Sequence, residues 1–127
     1  MTEVTFYICN NCGNLVQVIE KGGPTPSCCG EPMQKLVPNT VDASQEKHVP
    51  VVEMGVDKVK VTIGSVAHPM TEPHYIGWLY LQYPHGGELA YLDVTGEPEH
   101  TFILGGEKPV AVYAYCNLHG LWKTEIE

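Results

Sequence analysis

Val110-Ala111-Val112-Tyr113-Ala114-Tyr115-Cys116-Asn117-Leu118-His119-Gly120 decides both the fold and the place where chemistry gathers. Successive residues of a strand face opposite ways, so Val110, Val112, Ala114 and Cys116 share one side while Ala111, Tyr113 and Tyr115 share the other. The aliphatic side is the better core face. Cys116 therefore approaches any partner from inside a β-layer, and the turn that follows brings His119 in beside it. In that turn the backbone N–H groups of Leu118 and His119 are expected to hydrogen-bond the Cys116 sulfur and tune its electron donation.

A Cys-x-x-His turn alone arises often by chance. Three more histidines give it meaning: His48, His68 and His74 lie in Glu46-Lys47-His48-Val49-Pro50, Ala67-His68-Pro69-Met70 and Glu72-Pro73-His74. These are short Pro-bearing connectors between apolar runs, where a β scaffold carries its ligands. Four imidazoles and one thiolate make five candidate metal ligands and leave one side uncovered. His48 is read as the start of a strand. His85, in Pro84-His85-Gly86-Gly87, and His100, after Glu97-Pro98-Glu99, read as solvated surface residues, and Trp78 and Trp122 as core anchors.

Working outward, strands are expected at 49–53, 56–65, 76–83, 89–94, 101–104, 110–115 and 121–125, separated by Gly- and Pro-bearing turns. No segment carries a helical period. Seven short strands with such turns predict a β-sandwich of immunoglobulin-like type over residues 39–127.

Residues 1–38 differ in kind. They hold Cys9-x-x-Cys12 and the adjacent pair Cys28-Cys29, four of the five cysteines in the chain. So small a module cannot bury enough apolar surface to offset its chain entropy unaided, so a metal held between two β-ribbons is expected to fold it. Four thiolates suit zinc or iron. Adjacent residues of an extended chain point to opposite faces, so Cys28 and Cys29 reach one metal only through a local kink. A vicinal disulfide, or one of the pair as a bystander, is the alternative.

The formal net charge is −8 and all seven cations are lysines, which makes nucleic acids and anionic membranes poor partners. The sequence begins without a signal-like segment and has no apolar run of about 18 residues. A soluble cytoplasmic protein is expected, a setting in which clustered cysteines are metal ligands rather than disulfides.

Taken together, the four N-terminal cysteines, Glu46-Lys47-His48-Val49-Pro50, Gly64-Ser65-Val66-Ala67-His68-Pro69-Met70, His74 and Tyr115-Cys116-Asn117-Leu118-His119-Gly120-Leu121-Trp122 resemble the desulfoferrodoxin family, the two-iron superoxide reductases. The resemblance runs over about residues 7–123 and lacks no ligand. It implies a desulforedoxin-like module with an Fe(Cys)4 centre, held by Cys9, Cys12, Cys28 and Cys29. It further implies an Fe(His)4(Cys) centre with His48, His68, His74 and His119 equatorial and Cys116 axial, in a homodimer fed by rubredoxin or a similar carrier. The implied reaction takes superoxide, one electron and two protons to hydrogen peroxide, without release of dioxygen.

Residue chemistry agrees with that implication. Neutral imidazoles and one thiolate leave a ferrous site with a formal charge of about +1, an attraction for a small anion, to which Lys47 adds. Glu46 is a candidate to close the open position once the iron is ferric. A blue-copper carrier is the competing reading, but it wants two His, one Cys and usually an axial Met, and no Met follows Cys116. A zinc-stabilised or rubredoxin-like module with scattered histidines is the third.

Overall fold

The computed structural model describes residues 3–127. The chain is mainly antiparallel β and divides into two compact units, one ending at Val37 and one beginning at Pro38.

In the first unit β1 (Phe6–Ile8) lies between β2 (Leu15–Gln17) and β5 (Gln34–Lys35), while β3 (Ser27–Cys28) and β4 (Glu31–Pro32) form a separate short hairpin. The two expected ribbons are thus a three-stranded sheet and a hairpin, because the returning chain pairs Lys35 with Tyr7. Among its described residues only Phe6, Cys9 and Met33 are buried hydrophobics. That is too little to hold 30-odd residues in place, since fully burying one large apolar side chain stabilises by only about 1.5 to 3 kcal/mol.

The second unit contains α1 (Gln45–His48), β6 (Pro50–Gly55), β7 (Lys58–Ile63), β8 (Ile76–Tyr83), β9 (Gly86–Tyr91), β10 (Glu99–Ile103), β11 (Ala111–Cys116) and β12 (Gly120–Glu125). Its strands form two sheets, ordered β10-β7-β6 and β12-β11-β8-β9. Val59, Val61, Ile63 and Phe102 of the first pack with Ile76, Leu79, Leu81, Val112, Ala114 and Cys116 of the second. This is the expected sandwich, and the aliphatic face of β11 does line its core.

One irregularity places the end of β11. Tyr115 pairs with Trp78 but Cys116 pairs with Ile76, so Gly77 is an extra residue in β8. The resulting bulge shifts the phase of β8 by one, and Ile76 and Leu79 both turn inward. Cys116 is fully buried opposite it.

Several expectations are corrected. His48 closes α1 rather than opening a strand; a single turn is too short to display a period, and Pro50 forbids its continuation. The strand expected at 56–65 spans only Lys58–Ile63, because Val56-Asp57 is a two-residue turn in which Asp57 takes a φ of 55° and accepts a hydrogen bond from Gly106 N at 2.7 Å. The fourth strand starts at Gly86, which pairs with Tyr83, and the Tyr80 ring lies across Gly87, where a Cβ would collide with it. His100 is half-buried, with its ring edge-to-face on Phe102 at 4.6 Å. His85 is exposed in its turn, as read.

Candidate metal centres

In the first unit the Sγ atoms of Cys9, Cys12, Cys28 and Cys29 lie within 4.8 Å of one another. Adjacent cysteines converge because the chain kinks where expected: Cys29 has a φ of 53° and Gly30 one of 76°. No disulfide joins them, and the Cys28 and Cys29 sulfurs are 4.0 Å apart. Backbone N–H groups of Cys12 and Asn11 pull Cys9 down to about 6, whereas the crowding sulfurs of Cys12, Cys9 and Cys28 push Cys29 up to about 12. Four sulfurs this close cannot all be thiolates without a cation among them. The donor set therefore fits a metal.

In the second unit the four imidazoles stand at the corners of a near square. Ring centroids along its sides are separated by 4.7 Å (His48–His68), 4.6 Å (His68–His74), 5.1 Å (His74–His119) and 4.9 Å (His48–His119). The diagonal from His48 to His74 is 6.4 Å. Neighbouring rings meet edge to face, at 74° to 89°. Donor atoms of His48, His68, His74 and Cys116 fall within 4.8 Å of one another, and His119 Nδ1 lies 3.9 Å from the Cys116 sulfur.

In two of the four rings the free nitrogen is defined by what holds the other. His48 Nδ1 donates to Ser44 O and His68 Nδ1 to Pro69 O, both at 2.6 Å, so each turns Nε2 inward. His68 Nε2 and His74 Nε2 are buried and have no hydrogen-bond partner. Buried acceptors without donors are costly, and a shared cation resolves both at once. His119 Nδ1 and His48 Nε2 are 3.1 Å apart. Two ligands at right angles on one ion with bonds of about 2.1 Å would be about 3.0 Å apart. The residues present fit a metal with imidazoles on four sides and a thiolate on a fifth.

Desolvation lowers the basicity of His48 and His74 and takes His68 to about 4, so these imidazoles are neutral donors at neutral pH. Burial pushes the Cys116 thiol up, opposed by the backbone N–H groups of Leu118 and His119, the bonds expected from the turn. A cation in the square would favour the thiolate further.

Lys47 is exposed on α1 beside His48, near enough that its ammonium depresses the basicity of both His48 and His74. Glu46 is exposed one residue earlier. Two residues along a helix turn by about 200°, so the turn of α1 must open before Glu46 and His48 can address one point. That turn is pinned: Glu46 O accepts from Val66 N at 2.9 Å and from Ser65 Oγ at 3.3 Å.

Two residues that pattern reading passed over belong to the site. Trp122 is fully buried as expected, but it also stacks on His48 at 4.8 Å and 23° and donates from Nε1 to His119 O at 3.1 Å. The usable signal was that a buried indole N–H needs an acceptor. Asn117 binds the chain on both sides of His74. An Asn in a turn ordinarily satisfies its own loop, so nothing in the sequence pointed across to residues 73–75.

A four-sulfur module and a sandwich bearing a square of imidazoles over a buried thiol define a two-centre metalloprotein. Known proteins agree. The desulfoferrodoxin family model matches residues 40–125, and the model of the desulfoferrodoxin N-terminal domain matches residues 2–36. Desulfoferrodoxin of Nitratidesulfovibrio vulgaris is 46% identical over 123 residues, 97% of each chain. The superoxide reductase of Pyrococcus horikoshii is 36% identical over 104 residues, covering 68% of this chain and 90% of that one. The crystal structure of superoxide reductase from Treponema pallidum superposes with a TM-score of 0.81 at 40% identity, covering 98% of this chain and all of that one. The chain belongs to the desulfoferrodoxin family, and its two ligand sets correspond to two iron centres.

Proposed function

We propose that the chain is a superoxide reductase that takes superoxide to hydrogen peroxide at the His4Cys site, with Cys9, Cys12, Cys28 and Cys29 holding a second, electron-storing iron. The observation that carries this reading is the square of His48, His68, His74 and His119 beside Cys116, five donors with one anion among them. Relatives named superoxide reductase support it. These five residues would hold an iron that would supply the one electron superoxide needs, with two protons completing the peroxide.

The chain's own residues do the rest. Neutral imidazoles keep the site's formal charge near +1 with ferrous iron, so a small anion is drawn in despite a chain charge of −8. Lys47 adds an ammonium beside the square. Cys116, whose sulfur is fully buried, would supply the one negative charge of the donor set. Glu46 is assigned to the resting, oxidised site, which it addresses only if the bonds from Val66 N and Ser65 Oγ to its carbonyl give way. Rubredoxin or a similar small carrier resupplies the electron, and the chain acts as a homodimer in the cytoplasm. No helix among the described residues is long and apolar enough to cross a membrane.

The test is to load the purified chain with ferrous iron, measure iron per chain, and follow superoxide decay after a radiolysis pulse. Two irons per chain and peroxide formed without dioxygen are expected. Dioxygen released with the peroxide would make it a dismutase, and metal at the cysteine site alone would remove the enzyme reading.

A further inference from the structure

The four imidazoles of the square are not held in the same way. His48 and His68 are aimed through their own rings, by Nδ1 bonds to the carbonyls of Ser44 and Pro69. This is the usual arrangement, in which a ligand's second nitrogen is fixed by a hydrogen bond. Among the described residues the His74 ring has no such bond, and its buried Nε2 is unpartnered. Its aim must come from its backbone.

Asn117 supplies that aim. Its Oδ1 accepts from Tyr75 N at 2.9 Å, and its Nδ2 donates to Pro73 O at 3.0 Å. The two bonds grip the peptide groups immediately before and after His74. A third, from Asn117 N to Tyr75 O at 3.2 Å, makes the contact reciprocal. The other side of the connector is closed by Thr71, which exchanges backbone bonds of 3.0 and 3.1 Å with His74. Asn117 directly follows Cys116, so one side chain fixes the separation between the thiol and the His74 corner. An amide suits this task, because the grip needs one acceptor and one donor on a short stem.

We propose that Asn117 is a positioning residue that sets the orientation of His74 relative to Cys116, and through it the geometry and retention of the iron. This rests on the His4Cys reading, so the test separates the two. Parent, Asn117→Ala and Asn117→Asp would be loaded with iron. Three properties would be compared: the ferric thiolate charge-transfer band, the electron paramagnetic resonance of the ferric site, and the rate at which a chelator strips ferrous iron. Thermal unfolding of the metal-free chains would be recorded alongside.

Loss of the grip in Asn117→Ala should speed iron release by about tenfold or more and change the ferric resonance. Asn117→Asp keeps the shape and the bond from Tyr75 N but sets an oxygen against the Pro73 carbonyl, so it should fall between parent and alanine. A residue that only stabilises its loop would lower the unfolding temperature and leave band, resonance and release rate where they are. That result in the aspartate variant overturns the proposal even if the alanine variant does not fold. Absence of the thiolate band in the parent itself would overturn the His4Cys reading and this proposal with it.

Discussion

At the scale of the residue, Trp122 shows how one side chain serves packing and chemistry together. It pairs with Ala114 across β11 and β12, and that small partner leaves room for the indole to lie against the His48 ring. Its N–H reaches back three residues to the carbonyl of His119. Trp122→Phe keeps an aromatic ring against His48 but removes the donor and part of the fully buried indole, leaving a part-buried carbonyl unsatisfied and a small void. The expected cost is about 1 to 2 kcal/mol in denaturant unfolding of the metal-free chain, together with a changed ferric spectrum because His119 is no longer tied down. An unchanged spectrum would confine Trp122 to packing. The sequence made the cysteines and site histidines legible, because their type and clustering carry meaning apart from their surroundings. Trp122 and Asn117 were not legible in this sense, since an indole or an amide acquires its role only from the acceptor the fold brings to it.

At the scale of the element, alternation located the core face of β11, and the turns bounded most strands to within a few residues. What alternation cannot report is a change of phase. The extra residue at Gly77 is visible in the sequence only as a glycine inside a strand, a sign of a bulge that pattern reading leaves without a position. The four residues of α1 are likewise below the length at which a helical period appears. That turn is nevertheless the best-clamped piece of the site. Gly64, at a φ of 85°, lies so close under it that a Cβ would overlap Val66 O and sit 2.8 Å from Glu46 O and Lys47 C. Its N–H also donates to Val49 O at 3.2 Å. None of these backbone atoms can swing aside, so Gly64→Ala must push α1 away from the loop. A loss of about 3 kcal/mol is expected from left-handed strain and overlap together. His48 and Lys47 move with α1, so the iron of the second centre should be retained less well while the cysteine centre keeps its own. Calorimetry of the metal-free chain and iron analysis would check this; retention equal to the parent's would mean that the clamp does not position His48.

At the scale of the whole molecule, charge sets the problem and a single lysine offers a local answer. A chain of formal charge −8 repels superoxide at a distance. What matters near the site is the field within about one Debye length, roughly 8 to 10 Å at ordinary salt. Lys47 is exposed, adjacent to His48, and its charge is felt at both His48 and His74. Two unit charges about 5 Å apart attract by roughly 3 kcal/mol at an effective dielectric of 20 and by less than about 1 kcal/mol in water. An exposed ammonium belongs towards the weaker end. About 1.4 kcal/mol is a tenfold change in rate, so Lys47→Ala should slow bimolecular capture of superoxide about tenfold while leaving iron content unchanged. Steering and proton delivery respond differently to salt, because only steering is screened over about a Debye length. Pulse radiolysis across a range of ionic strengths would compare parent, Lys47→Ala and Lys47→Arg. Steering requires that arginine restore most of the rate and that alanine flatten or reverse its fall with added salt. Equal rates and equal salt slopes in all three chains would sink the idea and leave the charge of the metal site itself as the attraction.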